Sequence, residues 1–199
     1  MSAQGALARL IRSSAARSAP AAREVCELCA APVPEEHRHL YDLSEHQVRC
    51  ACEACAVLFA GDGAGGGGTF RLVPRRRMRL GRVDTAPLGV PVGLAFFVPH
   101  ADGTVTAQGP SPAGAMRWEV DARAWRRAAG QCPELALLQP EVEALLVNTV
   151  RGMDHHWILP VDDCFRLVAL VRREWRGLSG GGRVWPAVEE FFAGLTERG

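Results

Sequence analysis

Lysine is absent from this chain of 199 residues, and all 23 of its basic side chains are arginine. Such a bias is the mark of a GC-rich coding sequence, not of a function. Acidic residues number 22, so the formal charge is only +1, which gives no global drive toward nucleic acid or an anionic membrane. No stretch approaches the ~20 apolar residues that span a bilayer. There is no secretory apolar region near the N-terminus and no acidic residue before Glu24. Residues 1–24, rich in Ala, Ser and Arg and ending in a Ser/Pro-containing stretch, read as a disordered tail. The expected compartment is therefore a reducing cytoplasm. There, seven cysteines point to metal ligands or core thiols and away from disulfides.

Five of those cysteines crowd into one short segment: Cys26-Glu-Leu-Cys29, then Cys50-Ala-Cys52-Glu-Ala-Cys55. A C-x2-C turn sets two sulfurs on one side of the backbone while its amides donate to them. Two such turns complete a tetrahedron around a d10 ion. Cys26, Cys29, Cys52 and Cys55 are thus the candidate metal ligands, with Cys50 as an alternative ligand. Four thiolates leave no position for water, so the reading is structural zinc rather than catalytic zinc. Iron in a rubredoxin-like or iron–sulfur site is the alternative. Against it, Ala30 and Ala56 stand where rubredoxin-type knuckles carry glycine.

The histidines between the two pairs suggest a nuclease of the HNH type, which holds a histidine pair between knuckles. That chemistry requires a later asparagine and commonly a final C-x2-C-His. The one asparagine is Asn148, and Cys55 is followed by alanine. His37, His39 and His46 are accordingly read as surface or knuckle-packing residues. His155 and His156 are adjacent, so on a strand they point to opposite faces and are badly placed to share one ion. Ser179-Gly-Gly-Gly182 runs into Arg183 without the Lys-Ser/Thr of a phosphate loop, so it reads as a turn between helices.

Four segments follow from composition: the tail over 1–24, a cysteine module over 25–59, a Gly-rich linker over 60–69 with the hinge-like run Gly61–Gly68, and an α+β domain over 70–199. In the last, Val92–Val98 predicts a buried strand, Asp102-Gly103 a tight hairpin, and Val105–Gln108 its return. Gly109–Gly114 reads as a loop. Asp121 predicts the cap of a helix ending at Gly130. Val142–Val150 and His156–Pro160 predict a second hairpin. Asp162 or Asp163 is expected to cap a helix with the apolar stripe Cys164, Leu167, Val168, Val171 and Trp175, stopped at Gly177. Val188, Phe191, Phe192 and Leu195 line a final helix that has Pro186 near its start. The expected fold is a small zinc-ribbon-like module followed by an antiparallel sheet with helices packed on one face.

Arg75, Arg76, Arg77 and Arg79 form the centre of the densest charge run, with Arg71 and Arg82 at its flanks. Aromatic interleaving is thin, so nucleic acid is disfavoured and an acidic protein partner is the expectation.

Several stretches together resemble an uncharacterised, mainly actinobacterial family encoded near nickel–iron uptake hydrogenase genes. They are Cys26-Glu-Leu-Cys29, Glu36-His-Arg-His-Leu40, Cys50-Ala-Cys-Glu-Ala-Cys55, Pro91-Val-Gly-Leu-Ala-Phe-Phe97, Glu143-Ala-Leu-Leu-Val147, Leu159-Pro-Val-Asp-Asp-Cys164 and Trp175-Arg-Gly-Leu-Ser-Gly180. The resemblance implies an accessory protein whose partner is a hydrogenase subunit or maturation factor. It hands over no catalytic residue, and no catalytic motif is found elsewhere, so the expectation is a binding protein and not an enzyme.

Overall fold

The computed structural model describes residues 24–60, 68–89, 93–111, 114–176 and 182–198. The expected tail, apart from Glu24, nearly all of the Gly61–Gly68 hinge, the helix stop at Gly177 and the turn over Ser179–Gly182, apart from Gly182, lie outside them. Two antiparallel sheets organise the rest. The smaller has the order β2-β1-β3, from β1 (Arg38–Asp42), β2 (Gln47–Ala51) and β3 (Phe70–Leu72). Between β2 and β3 lies a short helix, α1 (Glu53–Phe59).

The larger sheet has the order β4-β9-β8-β5-β6-β7. Its strands are β4 (Met78–Arg79), β5 (Leu94–Pro99), β6 (Val105–Ser111), β7 (Gly114–Glu119), β8 (Glu143–Asn148) and β9 (His155–Pro160). Both expected hairpins form, Pro99 pairing with Val105 and Asn148 with His155. The segment read as a loop over Gly109–Gly114 is largely strand instead. Gly109 pairs with Met116 and Pro110 with Ala115, because β7 offers an edge partner that its mixed polarity had concealed.

Period-two alternation splits β5 between two cores. Leu94, Phe96 and Val98 face one side, packed beneath α3 (Val161–Glu174) and α4 (Val184–Arg198). Ala95 and Phe97 face the other, covered by α2 (Ala122–Gln131) and the 3-10 turns at Ala86–Leu88 and Pro133–Leu137. The fold is mixed α+β, as expected, and the two closing helices do share one face. The face opposite them is closed by α2, so the sheet is covered on both sides.

The caps show which polar residues end a helix and which do other work. Asp121 accepts from the amides of Arg123 and Ala124 at the start of α2, as predicted. Asp162 and Asp163 do not cap α3; its N-cap is Pro160, and both aspartates lie in the first turn. There their charges suit the macrodipole, but their side chains reach partners elsewhere. The buried stripe Cys164, Leu167, Val168 and Val171 stands as expected, as do Val188, Phe191, Phe192 and Leu195.

The small sheet crosses the boundary drawn at residues 69 and 70. β3 pairs with β1, Leu40 opposite Leu72 and Asp42 opposite Phe70. Successive residues of β1 serve different neighbours: Leu40 packs with the cysteine segment, whereas Tyr41 joins the core beneath α3 and α4. Composition marked where the glycines lie, but strand pairing decides which residues fold together.

Candidate metal centre

The first cysteine pair sits in a closed turn. The amide of Cys26 donates to Ala31 O at 2.8 Å, and that of Ala30 to Cys26 O at 2.8 Å. Ala30 has φ 59°, the left-handed conformation, although it is not glycine. An L-residue there costs roughly 1–2 kcal/mol. The turn is tied to β2 by Glu27, whose amide donates to Cys50 O at 2.9 Å and whose carboxylate accepts from the Cys50 amide at 2.7 Å.

The second pair is held differently. Cys52 is the N-cap of α1, its sulfur accepting from the Cys55 amide at 3.4 Å, and Cys55 lies in the first helical turn. Ala56 continues the helix by donating to Cys52 O. No left-handed residue is required after Cys55, so alanine at position 56 has a simple cause. The arrangement is a turn, a hairpin and a helix around one point, where a ribbon would have two matching turns.

All four sulfurs lie within 4.8 Å of one another, and those of Cys29 and Cys52 are 3.7 Å apart. A tetrahedron with metal–sulfur bonds of ~2.3 Å has edges of about 3.8 Å. The donor set therefore fits a four-coordinate thiophilic ion. Cys26 and Cys55 are buried, while Cys29 is exposed. The four thiols are not electrostatically equivalent. Burial opposes ionisation of Cys26, yet the amides of Cys52, Leu28 and Cys29, with the Cys29 thiol, bring it down to about 6. Burial and hydrogen bonds with the other three sulfurs push Cys55 up to about 12. Cys26 is thus predisposed to be a thiolate, whereas ionisation of Cys55 is favoured by a cation at the centre of the cluster.

Cys50, the alternative ligand, falls outside this group and lies near His37 and His39. Burial, and then the charge of Glu27, raise its pKa.

The arginine run divides sharply. Arg76 makes a bidentate pair with fully buried Glu143, at 2.9 and 2.6 Å, and also donates to Leu137 O. Arg77 donates to buried Asp163 at 2.5 Å, and Arg166 holds that carboxylate's other oxygen at 2.9 Å. These two of the four proposed docking arginines spend their charge inside the fold. Arg75 and Arg79 remain exposed, as do Arg71 and Arg82. His155 and His156 diverge as strand neighbours do. His155 stacks on Phe192 at 4.6 Å, while buried His156 meets Asp154.

The sequence reading missed a polar chain at the β5–β6 hairpin. His100 Nδ1 meets Glu141 at 2.7 Å and its Nε2 meets the Thr106 hydroxyl at 2.8 Å. Glu141 has φ 71°, and its other oxygen accepts from the Ala101 amide. Glu141 lies 41 residues beyond His100, so the chain of contacts carries no spacing signature.

Among known proteins, a family model described as a family of unknown function (DUF5947) matches residues 25–199. No curated protein and no solved structure matches the chain.

Proposed function

The chain belongs to the DUF5947 family, and from the geometry of its four thiols we propose that it is a non-catalytic accessory protein whose Cys26, Cys29, Cys52 and Cys55 hold one structural zinc ion. The observation carrying this reading is the convergence of four sulfurs at a spacing suited to tetrahedral coordination. Four thiolates suit zinc and iron alike; zinc leads because the helix starting at Cys52 stands where a rubredoxin-type site would have a second matching turn. The left-handed backbone at Ala30 removes the conformational objection to a rubredoxin-like knuckle, so iron stays the alternative.

The partner is a protein. Exposed Arg75 and Arg79 are the residues assigned to docking, Arg76 and Arg77 being occupied within the fold. The resemblance of several stretches between Cys26 and Gly180 to a family encoded beside nickel–iron uptake hydrogenases makes a hydrogenase subunit or maturation factor the first partner to test. In this role the zinc fixes a rigid knuckle, and the chain recognises its partner without transforming a substrate.

Elemental analysis of the untagged chain, after exhaustive dialysis against a mild chelator, tests the metal. The expected result is a colourless protein retaining zinc that Cys29→Ser or Cys52→Ser loses. Iron with thiolate charge-transfer absorption overturns the zinc reading in favour of electron transfer. For docking, Arg75→Glu with Arg79→Glu is expected to abolish co-purification with the hydrogenase partner while zinc is retained. Unchanged association sinks that assignment.

A further inference from the structure

His39 and Cys50 are directly opposed partners in the β1–β2 pairing. Opposed residues of an antiparallel pair point to the same face. His37, two residues before His39, approaches from the same side, and the two rings lie 4.6 Å apart. One ring nitrogen of each histidine and the sulfur of Cys50 all lie within 4.8 Å of one another.

The hydrogen bonds to these rings settle which nitrogen is available. His37 Nδ1 lies 2.9 Å from Pro34 O, and a carbonyl only accepts, so Nδ1 carries the proton. His39 Nδ1 lies 2.8 Å from the Asp162 carboxylate, again an acceptor. In both neutral rings the lone pair therefore sits on Nε2. The His37 side chain is only 4% exposed, and its Nε2 is buried without any hydrogen-bond partner. Leaving a buried acceptor unsatisfied costs roughly 1–3 kcal/mol. Protein ligands to metals show this same pattern: the far nitrogen is pinned by a carbonyl or carboxylate, which orients the ring and raises its basicity.

We propose that His37 Nε2, His39 Nε2 and Cys50 Sγ form a second metal site, separate from the four-thiolate centre, for a divalent ion of the zinc class. Tetrahedral coordination with ~2.0 Å nitrogen and ~2.3 Å sulfur bonds places such donors about 3.3–3.6 Å apart. Three protein donors leave one coordination position. His37 and His39 line a polar cleft of about 220 Å³ together with Arg75, Arg77 and Asp162, so the proposed site borders a solvent-accessible space. The second site is accordingly exchangeable, unlike the closed four-thiolate site. It lies where the small sheet meets α3, because Asp162 belongs to the first turn of that helix. Occupancy would therefore be linked to how the knuckle sits on the domain.

The full chain, stripped of metal under anaerobic reducing conditions, is titrated with zinc and separately with cobalt(II). The expected stoichiometry is two, with one equivalent readily withdrawn by a chelator. His37→Gln and Cys50→Ser each abolish that labile equivalent and retain the resistant one; Cys50→Ser replaces a single atom and so guards against misfolding. With cobalt(II), the labile equivalent adds a thiolate-to-cobalt charge-transfer band that Cys50→Ser removes. Metal binding unaffected by His37→Gln and Cys50→Ser overturns the second site. Loss of the resistant equivalent in Cys50→Ser also overturns it, by assigning Cys50 to the four-thiolate centre. Metal binding unaffected by Cys29→Ser counts instead against the four-thiolate reading, so the two fail separately.

Discussion

Around the cysteines, the buried apolar set among the described residues is Val33, Leu40, Ala51 and Ala56 beside Cys26 and Cys55, with no buried aromatic ring. The larger sheet buries Phe96, Trp157 and Phe192 on one face and Phe97, Leu145 and Ile158 on the other. A fully buried side chain of that size contributes about 1.5–3 kcal/mol, so the domain has many such contributions and the knuckle few. Small regions without a sufficient core rely on metals or other cross-links. The contrast gives the two regions different needs: dispersed apolar burial serves one, while the other has few such contacts beside a four-thiol cluster that could hold a metal ion.

The sharpest way to break that contrast is to deny the four thiols a metal ion. Zinc coordination in small thiolate modules is worth about 10–16 kcal/mol. Chelation, or Cys29→Ser, is therefore expected to abolish hydrogen-exchange protection over Cys26–Phe59 while β5, β8 and β9 keep theirs. Uniform loss across both regions would show that the domain depends on the metal too. Next in size is an electrostatic pin. Arg76→Ala leaves fully buried Glu143 without its bidentate partner, and breaking such a pair costs about 3–5 kcal/mol. Urea denaturation should show that loss for the domain, with the metal content unchanged.

Ala30→Gly acts in the opposite direction. It relieves the left-handed strain at φ 59° and should stabilise the metal-loaded knuckle by about 1 kcal/mol. The check is slower zinc release to a competing chelator. The smallest effect concerns the hairpin tips, where both regions use the same device. Asp42 accepts from the amide and hydroxyl of Ser44, and Asp102 does the same with Thr104. The Thr104 side chain, then its amide, holds the Asp102 carboxyl below its usual value of 3.8. Since the folded pKa is the lower one, the stabilisation is complete above 3.8 and disappears as pH falls through the folded value. The stability difference between wild type and Asp102→Asn should be constant from pH 7 to 5 and shrink below pH 4.

Much of this was legible in sequence where a pattern repeats at short range. C-x2-C spacing located the four sulfurs, Asp102-Gly103 the hairpin, and the period of α3 its buried stripe. What stayed hidden depends on contacts across long separations. Nothing local to Arg76 and Arg77 signals that Glu143 and Asp163 will take their charges, 67 and 86 residues onward. His37 and His39 drew notice, but their neighbour Cys50 became apparent only through the β1–β2 register. Edge strand β7 escaped because exposed strands lack a buried face to pattern them.

The pairing of β3 with β1 has a topological consequence. Strands on either side of residues 61–67 belong to one sheet, and His39 grips Asp162 across the same junction. Strand pairing and the His39–Asp162 contact thus join the halves in addition to the covalent link. A chain cut there should yield two fragments, 1–60 and 68–199, that remain associated through backbone hydrogen bonds and reassemble when expressed as separate polypeptides. Such a split pair would carry the four clustered thiols on one fragment and the strand that completes their sheet on the other.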